Sequence, residues 1–234
     1  MLQGSRRHYT SEPVSIPKAC SLQVRETGRI GKSREQRVAS VSYTHLDVYK
    51  RQAELYTGLV EVGVGLLPGA GGCKEMLLRA VDSVAASRGK ASGQALAGSV
   101  EMMEAIKKAF EAIATAKVAT SAQEARGLGF LSDSDRITMN RERVLSDAKA
   151  RALELARAGY EPPVPRTDIP APGESLLAAL KMGVHLMRQG DFITDYEVKL
   201  GGKIAEVLCG GNVTPGTPVS EQYILCLLYT SRCV

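Results

Sequence analysis

No two cysteines in this 234-residue chain have the C-x-x-C spacing, and no cluster of cysteine and histidine has metal-ligand spacing. That leaves no metal site and no redox pair to build on, as expected for a reduced cytoplasmic protein. Of the five cysteines, Cys20 lies near the start, and Cys226 and Cys233 lie in the last nine residues. Only Cys73 and Cys209 sit in the body of the chain. No apolar run reaches the length of a membrane span, and Leu2 to Ala19 lacks the apolar core of a signal peptide. A useful excess of one charge is also missing. The net charge of +5 and pI near 9.0 would ordinarily suggest a nucleic-acid or anionic partner. However, residues 1–52 carry ten Lys/Arg against four Asp/Glu, and the remainder is close to neutral. No nucleic-acid partner is expected.

Two stretches read better as DNA than as protein. Ser42 to Gln52, SYTHLDVYKRQ, can be encoded by TCTTATACACATCT followed by its own reverse complement. Cys226 to Val234, CLLYTSRCV, can be encoded by the same string in another frame. One inverted repeat read in two frames resembles a transposase end sequence from a sequencing library, joined to itself. Residues 42–52 and 226–234 are therefore set aside from fold arguments. Residues 1–41, joined through the first repeat, show no sustained apolar period and are expected to be disordered. The interpretable protein runs from about Ala53 to Leu225.

What the chain does have is the stretch Tyr56 to Met76, YTGLVEVGVGLLPGAGGCKEM. Alternating apolar residues from Tyr56 to Val64 predict a short buried strand. Glu61 lies inside that run. An unpaired buried carboxylate is costly, so it is near solvent, partnered, or kept for chemistry. Gly65, Pro68 and Gly69 to Gly72 follow, letting the backbone approach a ligand closely before a helix begins near Lys74. A helix N-terminus behind bare glycine amides favours an anion or a polarised water. Gly63-x-Gly65 also resembles the start of a dinucleotide loop, but Pro68 stands where the third glycine belongs and no acidic partner follows.

Glutamate, glycine four residues on, proline seven on and then G-A-G-G resembles the second active-site segment of the crotonases, the enoyl-CoA hydratase/isomerase superfamily. The resemblance implies an α/β, crotonase-like spiral fold, truncated to its C-terminal half and followed by a mostly helical extension. It implies Glu61 as catalytic acid/base, with Gly65, Pro68 and Gly69 at the substrate and Gly69 beside the catalytic water.

Downstream, Glu75–Ala86 predicts a helix and Ser87–Gly98 a glycine-rich loop. Ser99 caps a helix carrying Met102, Met103, Ile106, Phe110 and Ile113 at core spacing. Ser121 and Glu124 form a capping-box pattern, and Phe130-Leu131 reads as a small strand. Asp133-Ser-Asp135 lacks the glycine and terminal glutamate of a calcium loop, so a turn followed by an Asn140 cap is expected. Arg141–Ala158 predicts an amphipathic helix with Val144, Leu145, Ala148, Ala152, Leu153 and Leu155 inward. Five prolines between Glu161 and Gly173 predict a stiff linker. The domains expected are thus 53–160, the crotonase half, and 161–225, the linker and helical extension. In that extension Glu174–Arg188 and Asp195–Cys209 are helices, Thr194 and Glu197 cap the second, and His185 reads as a surface residue.

The C-terminal segment L-G-G-K-I-A-x-V-L-x-G-G and P-x-G-T-x-V-x-E-Q-Y resembles the end of bacterial bifunctional 3-hydroxyacyl-CoA dehydrogenases that carry a crotonase module. The resemblance implies an acyl-CoA substrate, no cofactor in this stretch, NAD only in an absent dehydrogenase half, and an oligomer in the intact parent. It also implies a second glutamate and two oxyanion amides, and residues 1–52 hold no G-G-G-x-E segment to supply them. Glu54 is too close to Glu61 to be that partner. The chain by itself is therefore expected to lack hydratase activity. A non-catalytic oligomerisation module and an enoyl-CoA isomerase remain alternatives.

Overall fold

The computed structural model describes residues 54–89, 92–133 and 135–230. The expectations for residues 1–52 and for the last four residues lie outside that set. Strand β1 (Glu54–Thr57) pairs antiparallel with β2 (Ala119–Ser121), with Glu54 opposite Ser121, Thr57 opposite Ala119 and an irregular register between. β1 stops at Gly58 because a Cβ there would lie 2.4 Å from the Lys117 carbonyl oxygen. The strand expected through Val64 is thus corrected. Glu61–Val64 forms a turn of 3₁₀ helix ending in Gly65 at φ 76°, and Val60 and Val64 are exposed. Glycines 58, 63 and 65 turn what looked like a pleated face into a turn.

Helix α1 (Gly72–Arg88) follows, burying Cys73, Leu77, Val81 and Val84. The expected loop contains a short helix, α2 (Gly93–Ala97), capped by the Ser92 hydroxyl, which accepts from the Ala95 amide. Ser99 caps α3 (Val100–Ala114), its hydroxyl accepting from the Met102 amide at 3.1 Å. Met102, Ile106 and Ile113 are buried as expected, whereas Met103 faces out.

Helix α4 (Ala122–Gly127) is capped by Ser121, but Glu124 reaches one residue further back than a capping box requires. It accepts from both the amide and the hydroxyl of Thr120, each at 2.8 Å. Phe130 and Leu131 are buried without forming a strand. Gly129, at φ 83°, turns the chain so that both their amides donate to the Ala125 carbonyl.

Asn140 caps a short 3₁₀ turn that leads into α5 (Val144–Arg157). This helix forms where expected but buries none of its residues, and Leu145 is 80% exposed. Of the inward face assigned to it, Val144, Ala148, Ala152 and Leu155 are half-buried, whereas Leu145 and Leu153 are exposed.

The proline-rich passage divides in two: residues 161–165 are exposed and 169–173 are buried. Its second half is core rather than linker. Within it β3 (Ile169–Pro170) pairs antiparallel with β4 (Pro218–Val219), with Pro170 opposite Pro218 at one end, a ladder short enough to tolerate both prolines. Helices α6 (Glu174–Gln189), α7 (Asp195–Leu208) and α8 (Glu221–Thr230) complete the order. The Thr194–Glu197 capping box is present in full. Helix α7 packs on both α1 and α3, while α6 covers its other side and α8 closes against α7 and α1. Leu77, Ile106, Ile204, Leu208, Ile224 and Leu228 are fully buried in one shared cluster. Leu228 belongs to the tail set aside on DNA grounds, yet the core uses it. Among the described residues no helix is long and apolar enough to cross a membrane.

Candidate active site

One backbone approach, one side-chain contact and a buried proline hold the segment from Gly58 to Gly72. Gly58 lies against the Lys117 carbonyl, Leu59 caps Gly72 so closely that a Cβ there would meet its methyl at 2.5 Å, and Pro68 is fully buried. The 3₁₀ turn between them is closed by Gly63 N–H to Val60 O at 2.9 Å, Gly65 N–H to Val62 O at 3.0 Å and Leu66 N–H to Glu61 O at 2.9 Å. Helix α1 then starts from Gly71 in the left-handed region, with no side-chain cap. Its first amides, Gly72, Cys73 and Lys74, have no carbonyl partner within the helix.

Glu61 sits at the start of the turn, half-buried. Its Oε2 is buried and has no hydrogen-bond partner among the described residues. Such an atom is costly to leave unpaired and is able to accept a hydrogen bond from a further group. The Cys73 thiol is pushed up to about 12 by burial, and the nearby charge of Glu61 adds to the push. Cys73 is therefore a neutral packing group and not a nucleophile.

Gly65 also borders a groove of about 570 Å³ between the turn and helices α6 and α7. Leu66, Leu67, Val184, Val198 and Leu200 line its apolar part, and Lys181, Lys199 and Lys203 its cationic part. Lys203 pairs with Glu206 at 3.3 Å, whereas Lys181 and Lys199 make no ion pair among the described residues. Tyr196, at the start of α7, donates its hydroxyl to the Gly65 carbonyl at 2.8 Å.

Of the four site residues expected from the sequence, Glu61 and Gly65 share the turn. Pro68 follows it, fully buried, and Gly69 sits half-buried in the bend before α1. Sequence reasoning missed Tyr196 and the three lysines. Lys199 and Lys203 are four apart and so share a face of α7, which was the only local signal. Among the described residues no group of His, Cys, Asp and Glu could hold a metal ion, and His185 is exposed on α6.

Over 173 residues the chain is 40% identical to a probable 3-hydroxyacyl-CoA dehydrogenase of Bacillus subtilis (strain 168), a match covering 74% of this chain and 20% of that protein. The chain thus spans about a fifth of the length of the curated relative it matches. No protein-family profile matches the chain, and no solved structure matches it.

Proposed function

We propose that residues 54–160 are the C-terminal half of a crotonase-type module with the superfamily's spiral fold, followed by a helical extension over 161–225, in a fatty-acid β-oxidation enzyme that hydrates enoyl-CoA thioesters. The observation that carries this reading is the buried, unpartnered Oε2 of Glu61 beside a glycine-rich bend and an uncapped helix N-terminus. Similarity to a probable 3-hydroxyacyl-CoA dehydrogenase supports the substrate class, because hydration yields the 3-hydroxyacyl thioester that such a dehydrogenase oxidises. In the reaction, Glu61 takes a proton from water as the water oxygen bonds to C3, negative charge builds on the thioester oxygen, and C2 takes its proton from a second acid that the full-length enzyme would supply. The groove suits the rest of the ligand, with an apolar floor for uncharged segments and free lysines for phosphate.

The relative's name favours a second reading, in which this stretch takes part in dehydrogenation. Against it, the strands among the described residues form two short antiparallel pairs, not the parallel βαβ unit that presents a dinucleotide. One experiment separates the two. In the full-length enzyme, Glu61→Gln should cut crotonyl-CoA hydration about a hundredfold or more while CoA binding and 3-hydroxybutyryl-CoA oxidation stay unchanged. Wild-type hydration in that variant overturns the assignment. Loss of oxidation with hydration intact favours the dehydrogenase reading.

A further inference from the structure

The turn that carries Glu61 is only partly held by packing, with Val62 alone of its residues set against the core. None of its residues is buried, Val64 is 75% exposed and Leu66 is 60% exposed. Its closing hydrogen bonds are all local, between residues three to five apart. Such a turn is free to fray unless something distant holds it. The Tyr196 hydroxyl supplies a distant hydrogen bond to it, reaching the Gly65 carbonyl across 131 positions of chain. Gly65 is the hinge of the turn, with a left-handed φ of 76° and with both its own amide and its carbonyl engaged. The tyrosine ring stands against it as well, 3.3 Å from where a Cβ would be. Tyr196 in turn is fixed by its place in the first turn of α7, just after the Thr194 cap and before Glu197.

We infer that Tyr196 is a positioning residue for Glu61, a latch by which the helical extension sets the geometry of the carboxylate-bearing turn. The inference rests on the functional reading given above. Its chemistry is simple. A carboxylate that must meet both water and substrate within hydrogen-bond reach loses rate steeply when its backbone wanders by an ångström. Pinning the carbonyl at the hinge removes that freedom without placing Tyr196 on the reacting atoms. The role predicts a loss in turnover and not in substrate affinity, because the ring that borders the groove is retained when only the hydroxyl is removed.

Tyr196→Phe tests this in two measurements. In the 234-residue chain, hydrogen exchange at the Gly65 and Leu66 amides should accelerate about tenfold, the equivalent of one hydrogen bond. Amides in the second half of α7 should keep their rates. Unchanged exchange at Gly65 and Leu66 overturns the latch. In the full-length enzyme, kcat for crotonyl-CoA hydration should fall about tenfold at constant KM, and the double variant with Glu61→Gln should be no slower than Glu61→Gln alone. A wild-type kcat, or a loss that multiplies in the double variant, overturns action through Glu61. Full activity in Glu61→Gln itself removes the functional reading, and the positioning role with it, while the exchange result still reports on the latch separately.

Discussion

The Lys74 Nζ and the Glu221 Oε2 lie 2.7 Å apart across 147 positions of chain, joining the N-terminal turn of α1 to the first residue of α8. Glu221 uses its other oxygen to accept from the Arg166 amide at 2.9 Å. One carboxylate thus ties the proline-rich passage, the last helix and the helix behind the candidate site into one corner. Lys74 also holds Glu75 at 2.7 Å, so it keeps a partner if Glu221 is removed.

Glu221→Ala should therefore destabilise the chain by about 1–3 kcal/mol, less than an abandoned buried charge would cost. Urea unfolding at neutral pH checks it, and an unchanged midpoint would contradict it. The same carboxylate should give the chain an acid-sensitive corner. Burial alone would raise the pKa of Glu221, but the Arg166 amide and Lys74 outweigh it and hold it below its ordinary 4.5. A carboxylate depressed in the fold stabilises above its unfolded pKa and loses that contribution as pH falls through the folded value. The urea midpoint should fall on going below about pH 4.5, and Glu221→Gln should flatten part of that fall.

Two glycines should respond in opposite directions to alanine. Gly183 lies inside α6 with nothing within 4 Å of a Cβ, so Gly183→Ala should stabilise by roughly 0.5–1 kcal/mol through helix propensity. Gly173 has a φ of 83°, and a Cβ there would meet the Pro215 nitrogen at 2.6 Å and the Val213 carbonyl oxygen at 2.7 Å. Gly173→Ala combines strain with overpacking and should cost on the order of 2 kcal/mol or more. Thermal melts of the two variants side by side provide the comparison, and shifts of the same sign would refute the argument.

Apolar residues of similar size should differ by burial alone. Ile106 is completely buried in α3 and Leu145 is exposed on α5. Ile106→Ala should cost about 2–5 kcal/mol, whereas Leu145→Ser should change stability by less than about 0.5 kcal/mol and improve solubility. A large loss at Leu145, measured by urea unfolding, would mean that the α5 face is covered after all.

The sequence by itself determined most of the longer helices of this protein, though not the short helix Gly93–Ala97 or the uncapped start of α1 at Gly72. Apolar residues three and four apart, with a serine, threonine or asparagine just ahead, carry their own local physics. The caps at Ser99, Ser121, Asn140 and Thr194 all form where the spacing put them. It also singled out Glu61 and the glycines around it, because a carboxylate in an apolar run and a proline-glycine bend are unusual wherever they occur. What only the tertiary structure decided depends on contacts between distant residues. Alternating valines could not reveal that Gly58 must pass against the Lys117 carbonyl, and that approach ends the strand and leaves Glu61 on a turn. An amphipathic pattern could not reveal that α5 would half-bury Val144, Ala148, Ala152 and Leu155 and leave Leu145 exposed. Nor could five prolines reveal that Ile169 and Pro170 would be buried opposite Pro218 and Val219. The hydroxyl of Tyr196 on Gly65 and the ammonium of Lys74 on Glu221 are bonds between residues more than a hundred positions apart. No local period encodes such pairs, because they exist only once the helices have packed.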